Sequence, residues 1–585
     1  MNSKYKIATV ILLVASQYTF AQKKDENLGT EVVNVVKPYS PSISDAFKVK
    51  ETPVLDDEQN TKKEEIKYNI FSFPVASTFV PSKGKAAVVD KEKGESLFKN
   101  YASFAAGNYT SFDAALFVTQ DINDTDYIVG DFLHQSSLGN IADVPLESGY
   151  SDTSIDLIYG SSKDDYTWNA NLGYDNKIYN WYGLPMDFGT ALNSEQKNTL
   201  INTIDPLHAY NDLHLGGKIK FNEGIFNQMS LKYNYFSDSY GSNEYRFYVK
   251  PDYNFSLANQ NDLRVNFLVD YVGGDMAKSY FDVSEKAPEY NFINLGFNPN
   301  YIINKGDLSL NAGLNLVFNF DNKTEKNKVF VYPKVIASYE LVEDLMIAYG
   351  GFEGDLKQNS YSEFSRKNPF LSPTLTIRPT DKMYDFYLGM RGKLASFLGY
   401  DVKGTVLGEK NKALFKSNDY NKNAGNENYE YGNSLGIVYD KVRTIGFFGE
   451  LKADFTKEIA FAVNGTFNSY KTDHEAEAWN LPSFKLESYL DVDFFKKWNA
   501  NIRLFYVGSR KDSQLNTDIV YTTVPAATTL AGYFDANAKI GYKYNERITG
   551  FLKFNNLFNQ NYNVWMNFPV QQFQVLLGAN YKFDF

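Results

Sequence analysis

Histidine and aspartate side chains near residue 210 are the residues of this sequence best suited to bind a metal ion. His208 and His214 lie six positions apart, so both would share one face of a strand that included them. Asp205 and Asp212 lie beside them, and carboxylate oxygen with imidazole nitrogen is a common metal-ligand set. Histidines without such a role are the commoner case in polar loops and lumens. We therefore expect no metal and no cofactor here.

Other residue patterns in the sequence do not predict an enzyme. His214 lies in a well-defined strand pattern but has no accompanying serine of the kind that a serine hydrolase needs. The stretch Asp121–Asp126 resembles a calcium loop but lacks its Gly and distal Glu, so a hydrophilic turn between two strands is the simpler interpretation. The chain has no cysteine, no glycine-rich phosphate loop and no carboxylate pair spaced for glycoside hydrolysis. We predict that the protein is not an enzyme.

Apolar and polar residues alternate along most of the chain, most clearly at its C-terminal end. A period of two indicates a strand with one apolar and one polar face. A final strand that ends on an aromatic residue is typical of the closing strand of bacterial outer-membrane barrels, whereas the last strand of a soluble sandwich is the alternative. The residues that form this predicted barrel signal are Phe573, Val575, Leu577, Tyr581, Phe583 and Phe585.

The same alternation recurs from about residue 97 onward. In Leu213–Phe221, apolar residues take every second position and Lys218 and Lys220 lie between them. A lysine at the bilayer midplane costs roughly 2–4 kcal/mol, so the charged face must line a lumen. Strands cross lipid only as a closed barrel. We predict an all-β fold: an antiparallel transmembrane barrel of about 22 strands, with short periplasmic turns and long extracellular loops.

Three local features of the predicted barrel are open to direct comparison with the structure. Residues Ala413–Lys416 are either a strand or part of a loop, and Ser360–Arg366 is predicted to form a helical turn in the largest loop. The tryptophans lie near predicted strand ends, where interface belts place them, although ligand stacking by Trp479 or Trp565 is an alternative. These tryptophans are Trp168, Trp181, Trp479, Trp498 and Trp565.

The N-terminus and the composition predict export to the outer membrane. Residues 1–22 have a basic start, a short apolar core and a small-residue cleavage site near Ala21, the pattern of a signal peptide. Aromatic residues make up 16% of the chain, yet mean hydropathy is −0.40, a mixture expected of a lipid-facing barrel with a polar lumen. The net charge of −11 argues against a nucleic-acid ligand.

Residues 23–96 differ in composition from the rest of the chain. They are rich in charge and interrupted by prolines, which favours an extended periplasmic or lumenal segment. Within this segment one β-branched run resembles a TonB box, a short strand that TonB captures by β-addition, although a strand that docks elsewhere fits as well. The residues of the run are Glu31, Val32, Val33, Asn34, Val35 and Val36.

The C-terminal part of the chain resembles the barrel of a TonB-dependent receptor. Asn556-Leu557-Phe558-Asn559, followed by Tyr562, resembles the signature of the family's penultimate strand, and the final strand also follows the family pattern. The resemblance implies an outer-membrane barrel over residues 97–585. Members of the family carry an N-terminal plug of well over a hundred residues, whereas residues 23–96 are few and proline-broken, so we expect the plug to be missing.

Two functions remain open on this basis. The first, which we favour from the sequence, is a structural or accessory subunit of an outer-membrane machine for protein assembly or secretion. The second is a receptor-like transporter or channel for nutrient uptake. The expected partners are outer-membrane lipid, the barrel-assembly machinery during biogenesis, a surface lipoprotein or other outer-membrane subunits, and TonB. Because a barrel of this size without a plug would leak, something should fill the lumen: residues 23–96, inward-folded loops or a partner.

Overall fold

The alternating sequence folds into one closed antiparallel sheet. The structure, a computed structural model, describes residues 98–585 apart from 190–191, 258–260, 281–285, 344, 422–425 and 515–525. Within these residues, 22 strands follow one another in chain order around a barrel, and the last strand pairs with the first. The predicted TonB-box run Glu31–Val36 and the rest of residues 23–96 lie outside the described part.

The barrel strands are β1 (Asn100–Gly107), β2 (Ser111–Asp121), β3 (Asp126–Ser137), β4 (Ser151–Ser162), β5 (Tyr166–Asn180), β6 (Leu207–Phe221), β7 (Phe226–Asp238), β8 (Asn243–Ser256), β9 (Asp262–Asp275), β10 (Glu289–Lys305), β11 (Leu308–Asp321), β12 (Lys326–Val342), β13 (Met346–Lys357), β14 (Thr380–Ala395), β15 (Leu398–Ser417), β16 (Leu435–Thr456), β17 (Ile459–Thr472), β18 (Phe484–Phe494), β19 (Trp498–Val507), β22 (Tyr533–Lys543), β23 (Ile548–Asn555) and β26 (Gln574–Phe583). Two hairpins, β20 (Arg510–Gln514) with β21 (Ala526–Leu530) and β24 (Asn563–Trp565) with β25 (Phe568–Pro569), lie in loops, as do the helices α1 (Ser194–Ile201) and α2 (Tyr361–Lys367).

The C-terminal strand closes the barrel. β26 pairs with β1 from Leu576↔Gly107 to Phe583↔Asn100. Leu577 is 67% exposed on the outer face, whereas its neighbour Leu576 is 1% exposed and faces inward, as the alternation requires. The prediction of a terminal amphipathic strand is therefore confirmed. The predicted stretch was too long, since Phe573 and Phe585 lie outside the strand.

The two ends of the barrel differ in the lengths of their connections, although three connections at the long-loop end, 108–110, 239–242 and 322–325, are also short. At one end every connection has two to five residues, as in the Asn123 turn between β2 and β3. There the Asn123 side-chain oxygen accepts hydrogen bonds from the backbone N–H groups of Thr125 and Asp126, so Asp121–Asp126 is the hydrophilic turn that the sequence predicts. The long loops all emerge at the opposite end. This polarity confirms the predicted barrel of short turns and long loops.

The local predictions have mixed outcomes. Ala413–Lys416 belongs to β15, and Ser360 caps the N-terminus of α2 by accepting a hydrogen bond from the Glu363 N–H. The belt prediction is wrong for Trp181 and Trp479, because both rings are buried. Trp181 belongs to a core formed by long loops, and Trp479 packs against Leu414 of β15 and Val442 of β16. None of the helices in the described ranges has the length and apolarity needed to cross a membrane.

Candidate functional site: the closed mouth of the barrel

Six long loops share one aromatic core at the mouth of the barrel. These are loops 138–150, 181–206, 276–288, 358–379, 418–434 and 556–573, and each contributes buried apolar side chains to a single cluster. The cluster also includes wall residues near the loop ends of β5 to β10, such as Tyr179, Tyr210 and Phe236. Loops that simply extended into solvent would leave these rings exposed. The loops therefore fold inward and pack against one another as a protein interior does.

Three aromatic rings from evenly spaced loops meet at the centre of this core. Tyr182, Phe370 and Phe568, here called the aromatic triad, come from the β5–β6, β13–β14 and β23–β26 loops. The centroid of the Phe370 ring lies 4.0 Å from that of Phe568 and 5.6 Å from that of Tyr182, and those of Tyr182 and Phe568 lie 5.0 Å apart. Around a barrel of 22 strands, these loops start about a third of the circumference apart. Rings from three such points can meet only over the lumen.

Glycine and backbone contacts allow the triad to approach closely. A Cβ at Gly183 would lie within 2.6 Å of the Phe568 ring, so only glycine fits there. The Tyr182 hydroxyl donates a hydrogen bond of 2.8 Å to the Pro569 carbonyl. Two loops that are distant in sequence are thereby joined by both packing and a hydrogen bond.

Helix α2 attaches the largest loop to buried carboxylates of the wall. The backbone N–H groups of Tyr361 and Ser362 donate to Glu244, at 2.6 and 3.2 Å, and the Tyr290 hydroxyl donates to the same carboxylate at 2.6 Å. The Tyr361 hydroxyl donates to Asp238 at 2.8 Å. Each buried carboxylate thus has the hydrogen-bond donors that offset its loss of water.

Ion pairs extend this attachment around the wall. Arg366 of α2 lies 2.7 Å from Asp212 on β6, and Glu363 of α2 lies 2.7 Å from Arg246 on β8. Arg246 in turn makes a two-point contact with Asp270 on β9, at 3.0 and 2.9 Å. We call the wall residues Asp212, Asp238, Glu244, Arg246 and Asp270 the acidic cradle of α2. The cradle holds α2 against one side of the lumen.

The phenols of the loops remain hydrogen-bond donors at neutral pH. Burial, assisted by the nearby Asp238 carboxylate, raises the pKa of the Tyr361 hydroxyl well above its usual value. Burial likewise raises the pKa of the Tyr280 hydroxyl well above its usual value and that of the Tyr240 hydroxyl to about 12. Tyr361 therefore stays protonated at neutral pH and donates its hydrogen bond to Asp238.

The histidines considered from the sequence do not come together as a metal site. Both His208 and His214 lie on the inward face of β6, as their spacing predicts. The ring of His208 is buried and stacks on Trp181 at 4.3 Å, whereas His214 Nε2 lies 2.9 Å from Asp156. The Asp212 carboxylate contacts Arg366 and Ser362 of α2. Within the described ranges no group of three or more His, Asp or Glu side chains is placed to hold a metal ion.

The family-like signature at residues 556–562 has a structural role at the end of β23. The Asn556 side chain donates to the carbonyls of Gln560 and Gln571, at 2.8 and 3.0 Å, and accepts from the Gln560 N–H at 2.9 Å. Tyr562 stacks on Tyr533 with ring centroids 4.0 Å apart. The signature thus starts the loop that carries Phe568 into the mouth.

Comparison with known proteins relates this barrel to import receptors by structure. The chain matches no protein-family model and no curated protein sequence. It is similar to the ferric-catecholate import receptor Fiu from E. coli K12, with a TM-score of 0.61 and 12% identity over 83% of this chain and 82% of that one. The FrpB iron transporter from Neisseria meningitidis gives a TM-score of 0.62 and 12% identity over 83% and 82% of the two chains. The siderophore receptor PirA from Acinetobacter baumannii gives 0.62 and 12% over 83% and 80%.

These similarities concern the fold. At such identities they confirm the resemblance of the barrel to the TonB-dependent receptor type, and they carry no residue of a ligand site to this chain. The predicted absence of a plug concerns residues outside the described part and stays a prediction.

Proposed function

We propose that this chain is an outer-membrane uptake receptor that rests with its mouth closed. The observation that carries the proposal is the barrel itself, whose 22 strands share the architecture of iron and siderophore receptors from three bacteria. In this proposal the signal peptide directs export, and residues 97–585 form the barrel. The aromatic core shared by the six long loops, here called the loop core, is the gate that a nutrient must open.

The proposed substrate class is a metal–chelate complex too large to diffuse through a narrow pore. The similar structures are described as import or siderophore receptors and an iron transporter, and another is described as a copper transporter. Opening the gate requires breaking the aromatic triad and the contacts between α2 and its cradle. Such a cost calls for ligand binding energy from outside or an energy input from inside. TonB acting on Glu31–Val36 is the proposed source of that input.

A growth and uptake experiment tests this function. Strains that lack the chain, or carry it without residues 31–36, are supplied with radiolabelled iron as a panel of siderophore complexes and with copper. Uptake of at least one complex should fall to background in both strains, because one lacks the pathway and the other its energy coupling. The matched control lacks residues 56–61, an acidic stretch of the same length in the same segment, and should take up metal normally at equal barrel abundance.

A second candidate function is the accessory subunit, and the shared core of the six long loops is compatible with it. The six loops pack into one core at the mouth, and a permanent seal of this kind suits a scaffold as well as a gate. Unchanged uptake of every complex, together with reduced amounts of other outer-membrane proteins in the deletion strain, would overturn the uptake proposal and support this one.

A further inference from the structure

A patch of apolar and basic side chains lies on the outer face of β16 and β17. Ile445, Phe447 and Phe467 are 63%, 56% and 52% exposed there, and Phe447 lies directly opposite Phe467 in the ladder. Two ladder positions beyond Ile445 toward the loop end, Arg443 lies directly opposite Lys471 on the same outer face. We call these five residues the rim patch.

The basic pair lies where the apolar band of the barrel ends. Phe455, exposed near the short-turn end of β16, and Ile445 lie ten residues apart. This is roughly 34 Å along a strand, or about 25 Å across the bilayer at a tilt of about 40°, which matches the height of the apolar band of such barrels. Arg443 and Lys471 therefore lie at the depth of lipid headgroups.

The charges of the pair are only partly balanced by the protein. Like charges directly opposite each other in a sheet repel. Asp473 contacts Arg443 at 3.5 Å but contacts Lys441 more closely, at 2.8 Å. Lys471 has no ion pair with any described residue. One carboxylate is thus shared by Lys441 and Arg443, and Lys471 has none, so this part of the surface can accept a further anion.

A groove beside Lys471 has room for an anionic group. Its volume is about 500 Å³, and it lies between the loop end of β17, loop 473–483 and the β20–β21 hairpin. Phe467 lines the groove, Lys471, Arg510 and Lys511 supply three cations, and Glu477 supplies one carboxylate. The groove thus joins an apolar side chain to a net positive charge.

The lysines at another part of the rim do have partners. Near the loop end of β10, Glu289 pairs with Lys286 at 2.7 Å and with Lys323 at 2.5 Å. A net positive charge at the edge of the apolar band is therefore a feature of the rim patch and not of every part of the rim that bears lysines.

We propose that Arg443 and Lys471 bind a phosphate group of an anionic glycolipid of the outer leaflet, of the lipid A type. Its acyl chains lie along Ile445, Phe447 and Phe467, and its phosphate lies between Arg443 and Lys471, beside the part of the groove that Lys471 lines. Charged donors at headgroup depth bind phosphate strongly because both partners are partly desolvated. The proposal rests on the outer-membrane location of the barrel and is independent of what the barrel transports.

Lipid retention by the purified chain tests the site. The full chain in detergent is mixed with bis-phosphorylated lipid A or with its dephosphorylated form, and bound lipid is counted by native mass spectrometry. We expect the wild type to retain the phosphorylated form and the variant R443Q/K471Q to bind it about tenfold more weakly or worse. The control K286Q/K323Q removes two positive charges from the same rim and should bind as the wild type does.

Three results would overturn this assignment. They are equal retention of the two lipids by the wild type, equal retention by R443Q/K471Q, and failure of the wild type to retain phosphorylated lipid. An acidic protein partner at this patch would give the last of these. Heat-modifiable mobility on gels confirms that each variant is folded, and K471R should restore binding relative to K471Q if charge is what matters.

Discussion

Replacing Phe370 by Ala is expected to loosen the closed mouth by about 3–5 kcal/mol, since the ring is fully buried among aromatic neighbours and its removal leaves a cavity. The triad would keep Tyr182 and Phe568, but these rings would lose their shared partner. The opening of loop 358–379 should become about a hundredfold or more frequent, because 1.4 kcal/mol corresponds to a factor of ten. Hydrogen exchange of the amides of Phe364, in α2, and of Asn368, directly after it, measures this opening directly.

The control for this variant is Phe386→Ala on β14. Phe386 is an aromatic residue of the same size, exposed on the outer face of the barrel, so its loss should leave exchange in α2 unchanged. Equal α2 exchange rates in wild type and Phe370→Ala would contradict a mouth held shut by the triad.

Charging Leu577 is expected to have the second large effect, a block of membrane assembly. Leu577 faces outward on the closing strand, and an arginine near the bilayer midplane costs roughly 2–4 kcal/mol. Because β26 must pair with both β23 and β1, a weakened last strand leaves the barrel open. Leu577→Arg should therefore lose the heat-modifiable band of the folded barrel on a gel.

Asn580→Arg on the same strand is the matched control. Asn580 faces the lumen three positions further along β26, where a positive charge meets a polar lining, so the folded band should persist. A normal folded band for Leu577→Arg would show that the outer face of β26 does not contact lipid.

The sequence predicts the wall of this barrel far better than its mouth. Alternation fixes the facing of residues such as Leu577 and Lys218 because strand geometry is local and repeats every two residues. A local signal also predicts α2, since Ser360 at its start is a preferred cap. In both cases the information lies within a few neighbouring residues.

The loop core carries no such local signal. Phe370 and Phe568 lie almost two hundred residues apart, and neither belongs to a periodic pattern. Glu244 has no distinguishing pattern in the sequence, and Asp212 was considered there only as a metal ligand, yet both carboxylates hold α2. The buried tryptophans Trp181 and Trp479 were assigned to a belt for the same reason. Only the closed barrel brings these loops to one point.

The closed mouth answers part of the question of what fills the lumen. Of the occupants expected from the sequence, inward-folded loops are present, and they close the barrel at its long-loop end. In the proposed uptake function these loops are a gate, and a gate must open during use. The uptake proposal requires the loops to open, whereas the accessory alternative allows them to stay closed.

Single-channel conductance in a planar bilayer tests the closed mouth most directly. The purified chain is compared with a variant in which residues 360–376 are replaced by a short Gly-Ser linker, which removes α2 and Phe370 while leaving β13 and β14 intact. The account predicts a silent wild type and large, steady current steps in the variant. Large, steady conductance by the wild-type chain would contradict a mouth sealed by its own loops.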